Sequence, residues 1–131
     1  MRPGNSGTGI YPDVEPLDLR LPADPAALAM LRGSVREWLE ALEIVEPDVA
    51  AIVAACSEIA AGAVEVGPAE LHGVLAGGDV VVRCAGSVDW LIEDHPSRFV
   101  ARLLVDDVSI DRTAERTAVV LRKAASRGLR L

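Results

Sequence analysis

The chain has 131 residues, enough for one domain; half are apolar and a quarter charged, which supports a packed core and excludes wholesale disorder. The net charge of −7 argues against contact with a nucleic-acid backbone, because that affinity rests on Lys and Arg neutralising phosphates. Aromatic residues make up only 3%, so the core is expected to be aliphatic.

Residues 1–15 read as a flexible tail, because Pro3, Gly4, Gly7, Gly9 and Pro12 break any regular element. The tail lacks the apolar stretch of a signal peptide. No run of about 18 apolar residues is apparent, so the expectation is a cytoplasmic protein that spans no membrane. Leu17, Leu19 and Leu21 alternate with Asp18 and Arg20, the pattern of a half-buried strand that Pro22 ends.

Asp24-Pro25 reads as a helix start, with a capping acceptor followed by proline. Leu28, Leu31, Val35, Trp38 and Leu42 follow at steps of three and four, which predicts a helix over about 25–43 with one apolar face. Glu37, Glu40 and Glu43 on that helix read as a solvated face or a partner surface.

A second helix is predicted from Glu46-Pro47-Asp48 to the stop at Gly67-Pro68. Val49, Ile52, Val53, Cys56, Ile59, Ala60 and Ala63 give it a wide apolar face. Its many alanines and Gly62 make it thin, able to approach a sheet or another helix closely.

Residues 70–75 and 79–84 flank Gly77-Gly78 and read as a β-hairpin. Residues 86–95 look irregular. Pro96 opens a short third helix carrying Phe99, Val100, Leu103 and Leu104; Asp106-Asp107 suits a helix C-terminus badly and leaves that boundary open. Residues 108–110 and 117–121 complete the order β-α-α-β-β-α-β-β. The residues after Lys123 read as a frayed basic tail, 125–131. The domain therefore spans 16–124. The fold class is an α/β two-layer sandwich, its mixed, mainly antiparallel sheet covered by helices on one face.

Three stretches in this order carry a resemblance: Leu19-Arg20-Leu21-Pro22-Ala23-Asp24-Pro25, then Ala54-Ala55-Cys56-Ser57-Glu58, then residues 103–110 running into Arg116-Thr117-Ala118-Val119-Val120-Leu121. Over residues 16–123 the chain resembles the GHKL (Bergerat) ATPases with their histidine kinase-like ATPase fold. The nearest branch looks like the anti-sigma factor serine/threonine kinases of the RsbW type. The resemblance implies a general base at Glu58 and, one turn on, a Mg²⁺-ligating Asn; that position is Gly62, which has no ligand to offer. It implies an Asp-x-Gly motif that holds adenine; here the triplet is Cys84-Ala85-Gly86, and a thiol is a weak acceptor. It implies a glycine-rich lid over the phosphates; His95 and Ser97 stand there instead. Its supporting Thr at the last strand matches Thr117.

The expectation is a regulatory protein that resembles anti-sigma factors and acts by protein contacts, with a degenerate nucleotide pocket at Gly62, Cys84, Gly86 and Thr117. No cofactor or metal is expected. Partners implied are a sigma factor or an anti-anti-sigma (STAS) protein, and a homodimer is compatible. The alternative is an active kinase using ATP and Mg²⁺, with Glu58 as base. Trp90, Leu91 and Phe99 are candidate partner contacts; Trp90 also reads as core filling. Cys84 reads as a buried thiol or a redox-sensitive one. His95 reads as a surface or capping residue or as a base. Asp89, Glu93 and Asp94 have a spacing that fits no compact metal site.

Overall fold

The computed structural model describes residues 14–126. The alternating leucines form β1 (Leu17–Leu21), with Leu17 and Leu21 buried and Asp18 and Arg20 exposed. Helix α1 (Ala27–Ala41) starts later than the proline suggested. Asp24 Oδ1 accepts from the Ala26 amide at 2.9 Å, so it closes a turn ahead of the helix and leaves the helix N-cap, Ala26, without a side-chain bond. Leu31, Val35, Trp38 and Leu42 face inward as spaced, joined by Leu39, with Leu28 half-buried.

Helix α2 (Glu46–Val66) has early acids and Pro47 at its first turn. By length and composition it could cross a membrane, with 21 residues and a mean hydropathy of 1.8, which corrects the expectation of no such run. Its apolar character has a local cause: it lies in the middle of the helix layer, between α1, α3 (Pro96–Leu104) and the sheet, and so buries most of its circumference. Ala55, Ala60 and Ala63 are fully buried there.

β2 (Ala69–Ala76) and β3 (Asp79–Ser87) form the expected hairpin, longer at both ends. Gly77 and Gly78 both take positive φ, 59° and 89°, as its two-residue turn requires. A three-residue 3₁₀ turn (Ile92–Asp94) precedes α3; then come β4 (Asp107–Arg112) and β5 (Arg116–Ala124). The sheet order is β1-β2-β3-β5-β4, and all four pairings are antiparallel, which corrects the expectation of a mixed sheet: the one long crossover, from β3 to β4, skips a strand position that β5 then fills. The chain thus leaves β3, crosses through residues 88–106 to the edge strand β4, and returns to β5 beside β3. The crossover lies over the end of β3, and everything in the candidate site follows from that placement. The whole is the α/β two-layer sandwich of the histidine kinase-like ATPase fold, with one continuous, mainly aliphatic core between sheet and helices that also takes in Trp38 and Trp90.

Most of the two terminal segments, 1–15 and 125–131, lies outside the described residues. Of those described, Val14 packs on the core, and the Glu15 carbonyl accepts from Trp38 Nε1 at 3.1 Å. The Ser126 amide donates to Asp48 Oδ2 at 2.7 Å, and its carbonyl accepts from Val45 N at 2.9 Å, tying the end of the sheet to the start of α2. Trp38 lies on Gly73, where a Cβ would come within 2.9 Å of the ring.

Candidate functional site

Register brings the site together. Gly86 of β3 pairs with Thr117 of β5, and Thr117 pairs with Arg112 of β4. Directly opposed residues share a sheet face. Cys84, two residues before Gly86, shares it as well. The buried stripe of α2 lies over this face, with Ala63 against Gly86 and Gly62 beside it on the helix.

Trp90 fills the space between them. A Cβ on Gly62 would stand 3.1 Å from indole Nε1, and one on Gly86 would stand 3.2 Å from Cε3 and 3.4 Å from the Ala63 Cβ. The indole is only 2% exposed. Trp90 is therefore core, not a partner contact, which corrects one of the two readings of it. The resemblance assigns the metal-ligating Asn to Gly62 and the adenine motif to residues 84–86. The ring occupies the gap between those two positions.

Residues 88–93 are held by Arg112, a residue that sequence reasoning did not single out. Its guanidinium makes a bidentate pair with Glu93, Nε to Oε2 at 2.9 Å and Nη2 to Oε1 at 2.5 Å. Nη1 donates to the Val88 carbonyl and to Thr117 Oγ1, both at 2.6 Å, and Nη2 donates to the Trp90 carbonyl at 2.9 Å. The Arg112 hydrogen bonds hold the Glu93 carboxyl below the usual carboxylate range. Thr117 is fully buried with its hydroxyl engaged by Arg112. Glu93 therefore serves an ion pair, and among the described residues no cluster of three His, Cys, Asp or Glu could hold a metal. The signal for this arrangement lay only in pairing an acid before α3 with an arginine at the end of β4, and local pattern does not show such a pair.

Glu58 is half-buried on α2, one turn before Gly62. Its neighbour Ser57 accepts from Arg32 of α1 at 3.1 Å. Cys84 is 2% exposed, and burial pushes its thiol up to about 12, against a smaller opposing pull from Arg83. Burial raises Cys56 as well. Neutral, enclosed thiols are poor nucleophiles, so the redox-sensitive reading of Cys84 falls. His95 caps α3: its Nδ1 accepts from the Ser97 amide at 3.1 Å, and the Ser97 hydroxyl lies 2.7 Å from the same nitrogen. This is the capping role among the readings of His95.

Leu91 faces solvent, 69% exposed, as do Phe99 and, one turn on along α3, Leu103, 62% and 87% exposed. Three cavities lie elsewhere. One of about 450 Å³ sits at the β2–β3 turn, lined by Val14, Trp38, Leu42 and Val74, at the far end of β3 from Gly86. Two of about 330 and 280 Å³ lie beside Trp38 and beside Arg20 and Arg116.

No family model and no curated protein matches the chain. Among solved structures it is similar to the RsbU and RsbW domains of Rv1364c from Mycobacterium tuberculosis, with a TM-score of 0.76 and 29% identity over 89% of this chain. The match covers 34% of that longer chain, so this chain spans about a third of its length. The likeness bears out the fold, and kinship with RsbW only at a coarse level.

Proposed function

We propose that the chain is an anti-sigma-factor-like regulator that works by binding protein, with nucleotide binding weak or lost. The partner is an RNA polymerase sigma factor or a STAS-type anti-anti-sigma protein. The observation that carries this reading is the Trp90 indole lodged between Gly62 and Gly86. A nucleotide bound as the resemblance implies would have to displace it. Cys84 adds support, because a neutral thiol in place of the adenine acid is a weak acceptor. Phosphoryl transfer depends on a positioned metal, and Gly62 has no ligand for one, so Glu58 would be a base without its Mg²⁺ partner. That weighs against the kinase alternative.

The partner-facing side in this reading is the exposed apolar group Leu91, Phe99 and Leu103, since large apolar side chains commonly dominate interface energy. Arg112 and the His95 cap hold the segment that carries Leu91 without any ligand, so partner binding needs no nucleotide. Calorimetric titration with Mg-ATP should show a dissociation constant weaker than about 1 mM, roughly −4 kcal/mol. Immobilised protein should retain a sigma factor or STAS protein, identified by mass spectrometry, equally with and without Mg-ATP. Low-micromolar Mg-ATP binding, or capture only when Mg-ATP is added, would overturn the proposal and favour the kinase.

A further inference from the structure

We propose that residues 88–94 form a latch: Arg112 holds them shut, and breaking its pair with Glu93 lets Trp90 leave its slot between α2 and β3. The proposal concerns the slot on which the functional reading rests, but it makes a separate claim, about how the slot is kept closed.

The indole is held incompletely. Trp90 Nε1 is buried and has no hydrogen-bond partner among the described residues. A buried donor without a partner favours whatever state lets water reach it. The closed position therefore carries an opposing cost at the atom nearest Gly62.

The segment also has little of its own to hold it. Apart from one three-residue 3₁₀ turn it has no regular structure, and apart from Trp90 and Ile92 its residues are exposed or half-buried. A short irregular backbone tied down at only two buried side chains is the mark of a part that opens separately from the rest.

Beside the burial of Trp90 and Ile92, a bond from Arg98 Nη1 to the Glu93 carbonyl at 3.2 Å and two short-range bonds to Ser87, one side chain makes the largest set of contacts to the segment. Arg112 bonds the segment at three points, the Val88 carbonyl, the Trp90 carbonyl and the Glu93 carboxylate. Its fourth partner, Thr117, anchors the guanidinium to the central part of the sheet. The planar fork suits such simultaneous bonding, which a lysine could not reproduce. Arg112 is thus a positioning residue for Trp90.

The test reads Trp90 alone. In a Trp38→Phe background Trp90 is the only tryptophan, and its fluorescence should be blue-shifted and shielded from acrylamide. Arg112→Ala should raise the quenching constant about threefold or more, as a shielded ring becomes partly exposed. Glu93→Gln, which keeps the side chain's shape, should give a smaller rise of the same sign. In the reciprocal Trp90→Phe background, Arg112→Ala should leave quenching of Trp38 unchanged. The latch is overturned if Trp90 stays equally shielded in folded Arg112→Ala and Glu93→Gln proteins, or if Trp38 becomes exposed to the same extent. Should Arg112→Ala not fold, Glu93→Gln decides the matter alone. Neither partner nor nucleotide is present, so this outcome stands apart from that of the capture experiment.

Discussion

A Cβ placed on Gly62 would stand 3.1 Å from Nε1 of Trp90. Glycine inside a helix normally costs about 1 kcal/mol relative to alanine. The indole explains why that cost is tolerated here: it lies in the volume that any longer side chain would need. Gly62→Asn, the change that would recreate the metal ligand implied by the resemblance, collides with the ring and restores nothing by itself.

Two helix-interior glycines make a controlled comparison. Nothing lies within 4 Å of a Cβ on Gly33, so Gly33→Ala should stabilise by about 1 kcal/mol. Gly62→Ala should gain nothing or lose stability, because Trp90 must shift. In a Trp90→Ala background Gly62→Ala should become stabilising, a coupling of about 1 kcal/mol measurable by denaturant titration. Equal gains at both glycines in the parent protein would disprove the contact.

The thinness of α2 can be tested by adding bulk. Ala55 and Ala60 are fully buried, so Ala55→Leu and Ala60→Leu should each cost about 1–3 kcal/mol by overpacking. Ala54 is exposed on the same helix, and Ala54→Leu should stay within about 0.5 kcal/mol of the parent. Thermal melts of the three variants check the ranking.

The cysteines predict alkaline sensitivity. Cys84 keeps its proton in the folded protein up to about 12, whereas its ordinary value is 9.0. Between those values the unfolded chain binds fewer protons than the folded one, so stability falls as pH rises; below pH 9 this contribution is fully present. Cys56 acts in the same direction. Urea midpoints followed from pH 7 to 11 should drop less in Cys84→Ala than in the parent, after normalising to pH 7. Parallel curves would show that the thiol ionises freely in the folded state.

The exposed apolar group should separate binding from stability. Phe99→Ala and Leu103→Ala should change stability by no more than about 0.5 kcal/mol, since neither side chain belongs to the core. Both should weaken retention of a sigma factor or STAS protein in the capture experiment. Full retention by the double variant would move the partner face elsewhere.

The order of elements, the apolar face of α1, the alanine-rich stripe of α2 and the Gly77-Gly78 turn were all legible from the sequence. So was the histidine kinase-like ATPase architecture, through the three matching stretches. These features depend on periodicity and turn chemistry, which act between residues a few positions apart. The start of α1 was misjudged because Asp24-Pro25 serves a local turn equally well, and the backbone bond that Asp24 makes is the same kind in either case.

What only the tertiary structure decided is what fills the site. The replacements at Gly62 and Cys84 are plain in the sequence, but they read as losses until Trp90 is seen packed between Gly62 and Gly86. In the sequence Glu93 stands out only with Asp89 and Asp94, whose spacing fits no metal site, Arg112 does not stand out at all, and nothing in the pattern around either points to the other. Their meeting depends on the crossover that carries residues 88–106 to the edge strand and returns the chain beside β3. Local sequence sets which face of each element is apolar; which distant side chain lands on that face is set by how the whole chain closes, because burial energy is non-directional and does not depend on where along the chain a group lies.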